Sequence, residues 1–380
     1  MARIQIVSTD EHGGGNACEA LWYEMAESAL AAGHQVDALV SQRSHGNETL
    51  SQLSKQGMDV RYRAGEPSGG RIKAIIFKFW QRTGAKYCSA RKLDADTDFL
   101  LLNVGTLVEA VMDPWYGMLM NCDRPVGIIV HNNPEIRHYP SGVIQRLAAL
   151  FHKADRVWFV SQRLKDNAEE QTLMEIPGAR VARNPVNLEN TGYEPWPHYE
   201  TLRLAVVGRL DAYVKGQVRL LHALSDARWQ ERDWTLTIFG SGPDEEKVRK
   251  AAEFYGLEER VKFGGFVKNI RQEIWAKHHA LVMPSMLEGM PLTLVEAMVC
   301  GRPAICSDVG GASELVEDGV NGFLAGSPFA GQLDLALERM WKRRDELIEM
   351  GRKAHESAAQ FLPQAPGEQL LAELLECVDQ

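Results

Sequence analysis

The most informative stretch of the sequence is Met283-Pro-Ser-Met-Leu-Glu288-Gly-Met-Pro-Leu-Thr-Leu-Val-Glu296-Ala-Met-Val-Cys-Gly301-Arg-Pro. We expect a short apolar strand to end near Pro284 and to be followed by a loop that carries Glu288. A helix should begin at Pro291, because proline suits the first helical position, and should end at Gly301, a common C-terminal cap. Glu296 then lies inside this helix among apolar residues, where a carboxylate is costly unless it is paired or bonded to a ligand's hydroxyl groups.

The loop before this helix is the first candidate binding site. The N-terminus of a helix exposes backbone N–H groups, which bind phosphate and sugar oxygens. On spacing alone, a solvated surface loop beside a half-exposed helical Glu296 is an equally good interpretation.

Strands alternate with helices on both sides of this stretch, which predicts parallel sheets covered on both faces. In such sheets ligands bind beyond the carboxyl ends of the strands. We predict strands over 3–8, 35–41, 99–103, 126–131, 156–161 and 180–183, and again over 204–208, 235–240, 261–264, 280–284 and 303–307. Helices are predicted over 17–32, 142–153, 245–255, 291–300 and 367–378.

The alternation is interrupted over 184–202, a segment rich in proline and poor in apolar residues, which we interpret as an interdomain linker. We therefore predict two Rossmann-like domains, 1–187 and 200–362. The last segment, 363–380, is predicted to form a helix that packs back on the first domain.

Composition limits the classes of function. The chain has 380 residues, 45% of them hydrophobic, and 42 Lys+Arg against 51 Asp+Glu. This length favours two domains, and the net charge of −9 argues against a nucleic-acid binder. The six cysteines are widely spaced, which fits reduced cytosolic thiols. The N-terminus does not look like a signal peptide, and no stretch predicts a transmembrane helix.

Several motifs together resemble the retaining glycosyltransferases of family 4, also called glycosyl transferases group 1. Glu288 and Glu296 form an E-x7-E arrangement within E-G-M-P and A-M-x-x-G-x-P sequences that look like the hallmark of that family. The block over 307–324, Val207-Gly-Arg209-Leu with Lys215-Gly216, and the glycine-rich 13–16 segment are similar to its other motifs. The resemblance implies an α/β GT-B fold, with two doubly wound Rossmann-like domains facing a central cleft.

The resemblance also implies a role for each matching residue. Arg209 and Lys215 would stabilise the negative charge that develops on a departing diphosphate. Glu296 would bind the ribose hydroxyls of the nucleotide, and Glu288 the hydroxyls of the donor sugar. The remaining donor-binding positions would be Phe266 and Val267 near the base, and Gly289, Met290 and Leu292 near the sugar and phosphate. The alternative for Arg209 and Lys215 is that both are solvated loop cations. The alternative for Phe266 and Val267 is that they form a plain strand end.

In the first domain, Gly14 and Gly15 lie between a strand and a helix, where glycine lets the backbone approach a ligand closely. The segment lacks the dinucleotide-binding fingerprint, because Cys18 stands where the third glycine would be. His131 follows an apolar strand and resembles the family's histidine that contacts the donor sugar near its reacting carbon. A buried structural histidine is the alternative.

These features predict a retaining transferase that moves a hexose from a nucleotide-diphosphate sugar, most simply a UDP-sugar, to a glycan or lipid-linked glycan acceptor, as in surface-polysaccharide or lipopolysaccharide synthesis. No metal or other cofactor is expected. The alternatives are a GT-B sugar-nucleotide epimerase and a non-catalytic sugar-nucleotide-binding partner. A dinucleotide-dependent oxidoreductase is a remote alternative, because the sequence lacks the dinucleotide-binding fingerprint.

A basic segment predicts a further partner. Residues 61–92 contain nine lysines and arginines against one acid, Glu66. Within 71–92, apolar residues recur at helical spacing between basic ones, as in helices that lie on anionic membranes. This pattern predicts a cytoplasmic protein that binds the inner face of the membrane peripherally. These residues form one largely apolar stripe, which consists of Ile72, Ile75, Ile76, Phe79, Trp80, Thr83 and Tyr87. The alternative is a helix that packs this stripe on its own domain.

Overall fold

The computed structural model describes residues 1–11, 17–63, 96–135, 138–186, 188, 190–198 and 200–379. The chain divides into two compact units. The first unit joins Met1–Pro185 to Pro363–Gln380, and the second is Val186–Leu362. Gly14, Gly15 and the predicted basic helix over 71–92 lie outside the described residues.

The first unit is built on a seven-stranded parallel sheet with strand order β3-β2-β1-β4-β5-β6-β7. Its central strands are buried on both faces, which explains their almost continuous apolar sequences. The strands are β1 Arg3–Ser8, β2 Gln35–Ser41, β3 Asp59–Arg63, β4 Phe99–Val104, β5 Val126–Val130, β6 Arg156–Phe159 and β7 Ala179–Val181. The α-helices described between them are α1 Ala17–Ala31, α2 Glu48–Lys55, α3 Trp115–Met120, α4 Ser141–Lys153 and α5 Gln162–Thr172.

The second unit is built on a six-stranded parallel sheet with strand order β10-β9-β8-β11-β12-β13. The strands are β8 Leu202–Val207, β9 Trp234–Phe239, β10 Val261–Gly265, β11 Ala280–Met283, β12 Ala304–Ser307 and β13 Gly322–Ala325. The helices are α6 Gln217–Leu224, α7 Ala227–Gln230, α8 Glu245–Phe254, α9 Leu292–Val299, α10 Ala312–Leu315, α11 Ala330–Lys342 and α12 Leu347–Phe361. A π-helical turn spans Arg271–Trp275.

The C-terminal helix, α13 Pro366–Val378, belongs to the first unit. Leu370 and Leu374 share the core that contains Trp22 of α1. A Cβ atom at Gly367 would lie 2.5 Å from the carbonyl carbon of Glu24, so the two helices approach too closely there for a larger residue. None of the helices in the described part of the chain is both long and apolar enough to cross a membrane.

The sequence missed two strands at sheet edges. Strand β3 carries Asp59, Arg61 and Arg63, and its charge pattern hides it among loop residues. Strand β13 has four residues and follows a turn at Gly319. An edge strand needs only one hydrogen-bonded neighbour, so β3 can be polar and β13 can be only four residues long, and neither gives a clear strand pattern.

Several predicted boundaries also differ by one or two residues, and two of the differences bear on the second unit. Helix α9 begins at Leu292, not at Pro291, whose extended backbone places it at the N-cap. The predicted linker over 184–202 is in part a fixed piece of the second unit. The fully buried Arg302 guanidinium donates hydrogen bonds to the carbonyl oxygens of Glu194 (3.0 Å) and Pro195 (2.6 Å).

Candidate functional site

Two glycine-dependent loops meet beyond the carboxyl ends of β8 and β9. Gly208 follows β8, and its N–H donates to the carbonyl of Phe239 over 3.1 Å. A Cβ atom at Gly240, which has a φ of +119°, would lie 2.0 Å from the carbonyl oxygen of Gly208. The backbones therefore touch, and this contact fixes the point where the chain turns into Arg209.

Arg209 lies just beyond this contact, and its side chain is exposed. Its carbonyl oxygen is held by the N–H of Asp211 at 2.9 Å and by the amide of Gln217, also at 2.9 Å. The backbone at the base of this exposed residue is therefore anchored.

Lys215 is placed by the glycine that follows it. Gly216 has a φ of +70°, and a Cβ atom there would lie 2.0 Å from the carbonyl oxygen of Pro284. The N–H of Met286 also donates to the carbonyl of Val214 over 2.7 Å. The loop before α6 is thus packed directly on the loop after β11.

This packing joins Lys215 to Glu288. The lysine Nζ atom lies 2.6 Å from Glu288 Oε1, in a pair whose side chains are 28% and 11% exposed. An ammonium group has three donors, and one of them points at this carboxylate. The other two have no acceptor among the residues that the structure describes, so Lys215 can bind an anion while Glu288 holds it in place.

A third loop supports Glu288 from the other side. A Cβ atom at Gly310, where φ is +53°, would lie 2.3 Å from the carbonyl oxygen of Glu288. The next N–H, from Gly311, donates to the carbonyl of Gly289 over 2.7 Å. The loops after β8, β11 and β12 therefore form one cluster of touching backbones at the carboxyl edge of the sheet.

The N-terminus of α9 contributes donors to this cluster. The N–H groups of Leu292 and Thr293 precede the first intrahelical hydrogen bond, which Leu294 makes to Pro291. They have no acceptor in the described part of the chain. Gly289 and Met290 are buried in the turn before the helix. This arrangement can bind phosphate or sugar oxygens.

Glu296 is buried in α9, with 9% of its surface exposed. Its carboxylate has no hydrogen-bond donor and no ion-pair partner among the described residues, and burial raises its pKa from 4.5 to about 8. A carboxyl group in this environment gains stability when hydroxyl groups donate to it. A vicinal diol such as that of ribose could supply two donors.

Phe266 and Val267 lie in the turn after β10. The Phe266 ring is 74% exposed, and Val267 is half-buried. An exposed aromatic ring of this kind can stack on a planar ligand.

His131 belongs to the first unit, where it follows β5. Its ring is buried, and its Nε2 atom lies 2.7 Å from Asn103 Oδ1. Burial lowers its pKa from 6.5 to about 3, so the imidazole is neutral at physiological pH. The Nδ1 atom is buried without a hydrogen-bond partner among the described residues.

Sequence reasoning missed the residues that hold His131. Asn103, Glu19 and Ser8 form a buried network with it at the ends of β1, β4 and β5. The one available signal is Glu19, an acid in the first turn of α1, where it directly follows the predicted glycine-rich segment. Among the described residues, no group of three or more histidine, cysteine, aspartate or glutamate side chains is placed to hold a metal ion.

Comparisons with known proteins agree with this geometry. The family model "Glycosyl transferases group 1" matches residues 197–356, within the second unit. The lipopolysaccharide 1,6-galactosyltransferase of Salmonella typhimurium is 31% identical over 44% of this chain and 48% of its own length. An exopolysaccharide phosphotransferase of Streptomyces coelicolor is 27% identical over 80% of this chain. The chain spans only 31% of the length of that protein, and less than half of either relative.

The crystal structure of Anabaena HepE in complex with UDP superposes with a TM-score of 0.71. The superposition covers 98% of this chain and 99% of HepE, at 21% sequence identity. This likeness confirms the predicted α/β GT-B fold of two doubly wound Rossmann-like units.

Proposed function

We propose that the protein is a retaining glycosyltransferase, because the glycosyl transferases group 1 model matches residues 197–356. It moves a hexose from a nucleotide-diphosphate sugar, a UDP-hexose in the simplest case, to a hydroxyl group of a glycan. The observation that carries the proposal is the contrast between two carboxylates, one in the loop before α9 and one inside α9. Glu288 is ion-paired to Lys215, whereas Glu296 is buried without a donor among the described residues.

The charges fit a nucleotide diphosphate. Lys215 and Arg209 supply two cations beyond the end of β8, and the α9 N-terminus supplies backbone donors. Glu296 accepts hydrogen bonds from the ribose hydroxyls, and Glu288 binds the donor sugar while it orients Lys215. The base lies against the turn of Phe266 and Val267.

The transfer step uses this charge distribution. The acceptor oxygen forms a bond to the anomeric carbon on the face from which the diphosphate leaves. The bond between that carbon and the β-phosphate oxygen breaks, and the acceptor's proton passes to the departing phosphate oxygen. Arg209 and Lys215 stabilise the charge that grows on this leaving group, which lowers the barrier more than it strengthens ground-state binding.

The proposal also includes three residues of the first unit. His131 contacts the donor sugar, and Gly14 and Gly15 approach the ligand with their backbone. The reaction requires no metal or other cofactor, so we expect turnover to survive saturating EDTA after dialysis. Loss of turnover in EDTA and recovery on adding Mg²⁺ or Mn²⁺ would overturn the metal-independent part of the proposal.

Calorimetry with UDP, GDP and ADP tests the nucleotide site. We expect UDP to bind most tightly, Glu296→Ala to weaken UDP binding, and Glu288→Gln to leave UDP binding nearly unchanged while weakening UDP-hexose binding. Equal losses of UDP affinity in the two variants would contradict this division of roles.

The acceptor is proposed to be a lipid-linked glycan at an anionic membrane. One similar protein is named for lipopolysaccharide and another for exopolysaccharide, and the sequence over 71–92 is basic and amphipathic. We expect the protein to sediment with vesicles that contain phosphatidylglycerol and to be released by salt, because each basic residue near an anionic leaflet contributes about 1 kcal/mol. Lys78→Glu with Arg82→Glu and Lys86→Glu should abolish sedimentation and leave UDP binding intact. Equal binding to neutral vesicles would contradict the membrane role.

Product analysis separates this function from its rivals. A GT-B epimerase would convert UDP-hexose to its epimer without an acceptor, and a non-catalytic partner would bind UDP-hexose without turnover. Formation of UDP together with a glycosylated acceptor of retained anomeric configuration supports the transferase; epimer formation alone, or binding without turnover, excludes it.

A further inference from the structure

Strand register brings a buried polar network to one point in the first unit. Ser8, the last residue of β1, pairs with Asn103 of β4, and Val104 of β4 pairs with Val130 of β5. His131, the residue after Val130, therefore lies beside Asn103. Both side chains are buried, and they are joined by the 2.7 Å contact between His131 Nε2 and Asn103 Oδ1.

The orientation of the Asn103 amide is determined by its other contacts. Its Nδ2 atom donates to the carbonyl oxygen of Cys18 at 3.0 Å and to Glu19 Oε1 at 3.1 Å. These two nearest acceptors take one amide proton each, and the Ser8 Oγ atom lies farther from Nδ2, at 3.4 Å. Reversing the amide would turn its carbonyl oxygen toward two acceptors, so Oδ1 must face His131.

Glu19 is held as firmly as Asn103. Its Oε1 atom accepts a hydrogen bond from the Ser8 hydroxyl at 2.6 Å, and its Oε2 atom accepts one from Trp22 Nε1 at 3.1 Å. Together with Asn103, three donors converge on this buried carboxylate, and its side chain can therefore not rotate without losing partners.

The amide orientation decides the tautomer of His131. Because Asn103 Oδ1 can only accept, His131 must carry its proton on Nε2. The neutral ring then has a lone pair on Nδ1, which is buried and has no donor among the described residues. The following two residues also carry buried polar atoms without partners there, Asn132 Oδ1 and Asn133 Nδ2. Three such atoms in succession point to a polar ligand at the end of β5.

We propose that Glu19 and Asn103 are positioning residues that hold His131 as the neutral Nε2–H tautomer, so that Nδ1 accepts a hydrogen bond from a hydroxyl group of the bound sugar. The ligand half of this statement rests on the proposed function. The tautomer half depends only on the contacts within the first unit. A histidine with the opposite tautomer would present an N–H to the same hydroxyl and would orient it differently.

The ¹⁵N spectrum of histidine-labelled full-length protein tests the tautomer directly, without any transferase assay. We expect His131 to show a protonated Nε2 and an unprotonated Nδ1 across neutral pH. Asn103→Leu removes the acceptor and should populate both tautomers. Thr97→Val is the matched control, since it removes a buried hydrogen bond of the same unit, to Gln5 Oε1, that lies outside this network, and it should keep the native tautomer. A protonated Nδ1 in the native protein, or an unchanged tautomer in Asn103→Leu, would overturn the positioning role.

Titration with UDP and with UDP-glucose tests the ligand half. UDP-glucose should move the His131 Nδ1 resonance, whereas UDP alone should not, and Asn103→Leu should lower kcat/KM by about tenfold, the size of one hydrogen bond. Saturation by UDP-glucose without any change at Nδ1 would overturn the hydroxyl contact. If UDP-glucose fails to bind, the proposed function fails, while the spectrum of the free protein still decides the positioning role. If Asn103→Leu does not fold, the native spectrum remains a sufficient test.

Discussion

Each unit has a buried carboxylate near the carboxyl edge of its sheet, and the two carboxylates differ in the hydrogen bonds that they accept. Glu19 accepts hydrogen bonds from Ser8, Trp22 and Asn103. Glu296 has no donor among the described residues. Burial raises the pKa of both groups, to about 7 for Glu19 and to about 8 for Glu296.

This difference separates a supporting network from a ligand-binding group. A buried carboxylate surrounded by donors is completed by the fold and serves to fix its neighbours. A buried carboxylate without donors destabilises the fold, and such cost is typical of residues selected for binding. The two regions should therefore respond differently to the same substitutions.

The largest expected effect is on turnover in the second unit. Arg209→Ala or Lys215→Ala should reduce kcat by roughly 30- to 1,000-fold, because each removes about 2–4 kcal/mol of transition-state stabilisation. Lys250→Ala is the matched control, since this lysine forms an exposed ion pair with Glu246. Steady-state release of UDP measures the effect. Near-native turnover in both variants would show that the charged site is not where the leaving group lies.

A second test applies one substitution to both carboxylates. Glu296→Gln should stabilise the protein. The carboxyl of Glu296 has a folded pKa above its unfolded value of 4.5, so its contribution to stability is fully present below pH 4.5 and is lost as the pH rises through about 8. The Gln variant avoids this loss of stability, and its free energy of unfolding should exceed that of the native protein by roughly 4–5 kcal/mol at the upper end of that pH range.

Glu19→Gln should instead destabilise the protein by about 1 kcal/mol at pH 5, because an NH₂ group then faces a buried donor. This difference should shrink as the pH rises through about 7, because burial also raises the pKa of Glu19. Urea denaturation at pH 5 and pH 8 gives both differences, and the comparison fails if the two variants change stability in the same direction at pH 5. UDP binding provides a further check, since ribose hydroxyls favour the ionised form of Glu296, and the native protein should release protons on binding below pH 8.

These tests probe features that the sequence predicted unequally. Arg209, Lys215, Glu288 and Glu296 lie in contiguous motifs with recognisable spacing, and strand–helix alternation predicted both parallel sheets. The network around Glu19 could not be predicted, because Ser8, Asn103 and His131 lie on three strands and meet only through their register. The ion pair between Lys215 and Glu288 likewise depends on a close backbone approach that no local pattern reveals.

That close approach gives a third test. Gly216→Ala and Gly256→Ala both place a Cβ on a residue with left-handed backbone, at φ +70° and +65°, but only at position 216 does the Cβ meet an atom, the Pro284 carbonyl oxygen. Gly256→Ala should cost about 1 kcal/mol. Gly216→Ala should cost at least 1 kcal/mol more and should also reduce turnover by displacing Lys215. Equal melting temperatures would show that the loop relaxes freely.

The smallest expected effect concerns the exposed aromatic residues of the second unit. Phe266→Ala should weaken UDP binding by about 1 kcal/mol, the lower end of the range for base stacking. Phe254, which is 82% exposed at the end of α8, is the matched control. An equal change of UDP affinity in Phe254→Ala, or none in Phe266→Ala, would contradict a base-binding role for the turn after β10.

The position of α13 has a consequence for biosynthesis. Its Leu370 and Leu374 complete the core of the first unit, yet the ribosome makes them only after the whole of the second unit. At roughly 5–20 residues per second, the first unit waits on the order of ten seconds or more with the Trp22 face of α1 uncovered. The second unit is one continuous stretch, Val186–Leu362, and is itself complete only just before Leu370 is made. The first unit should therefore stay incomplete throughout the synthesis of the second, which makes the nascent first unit the natural client of chaperones.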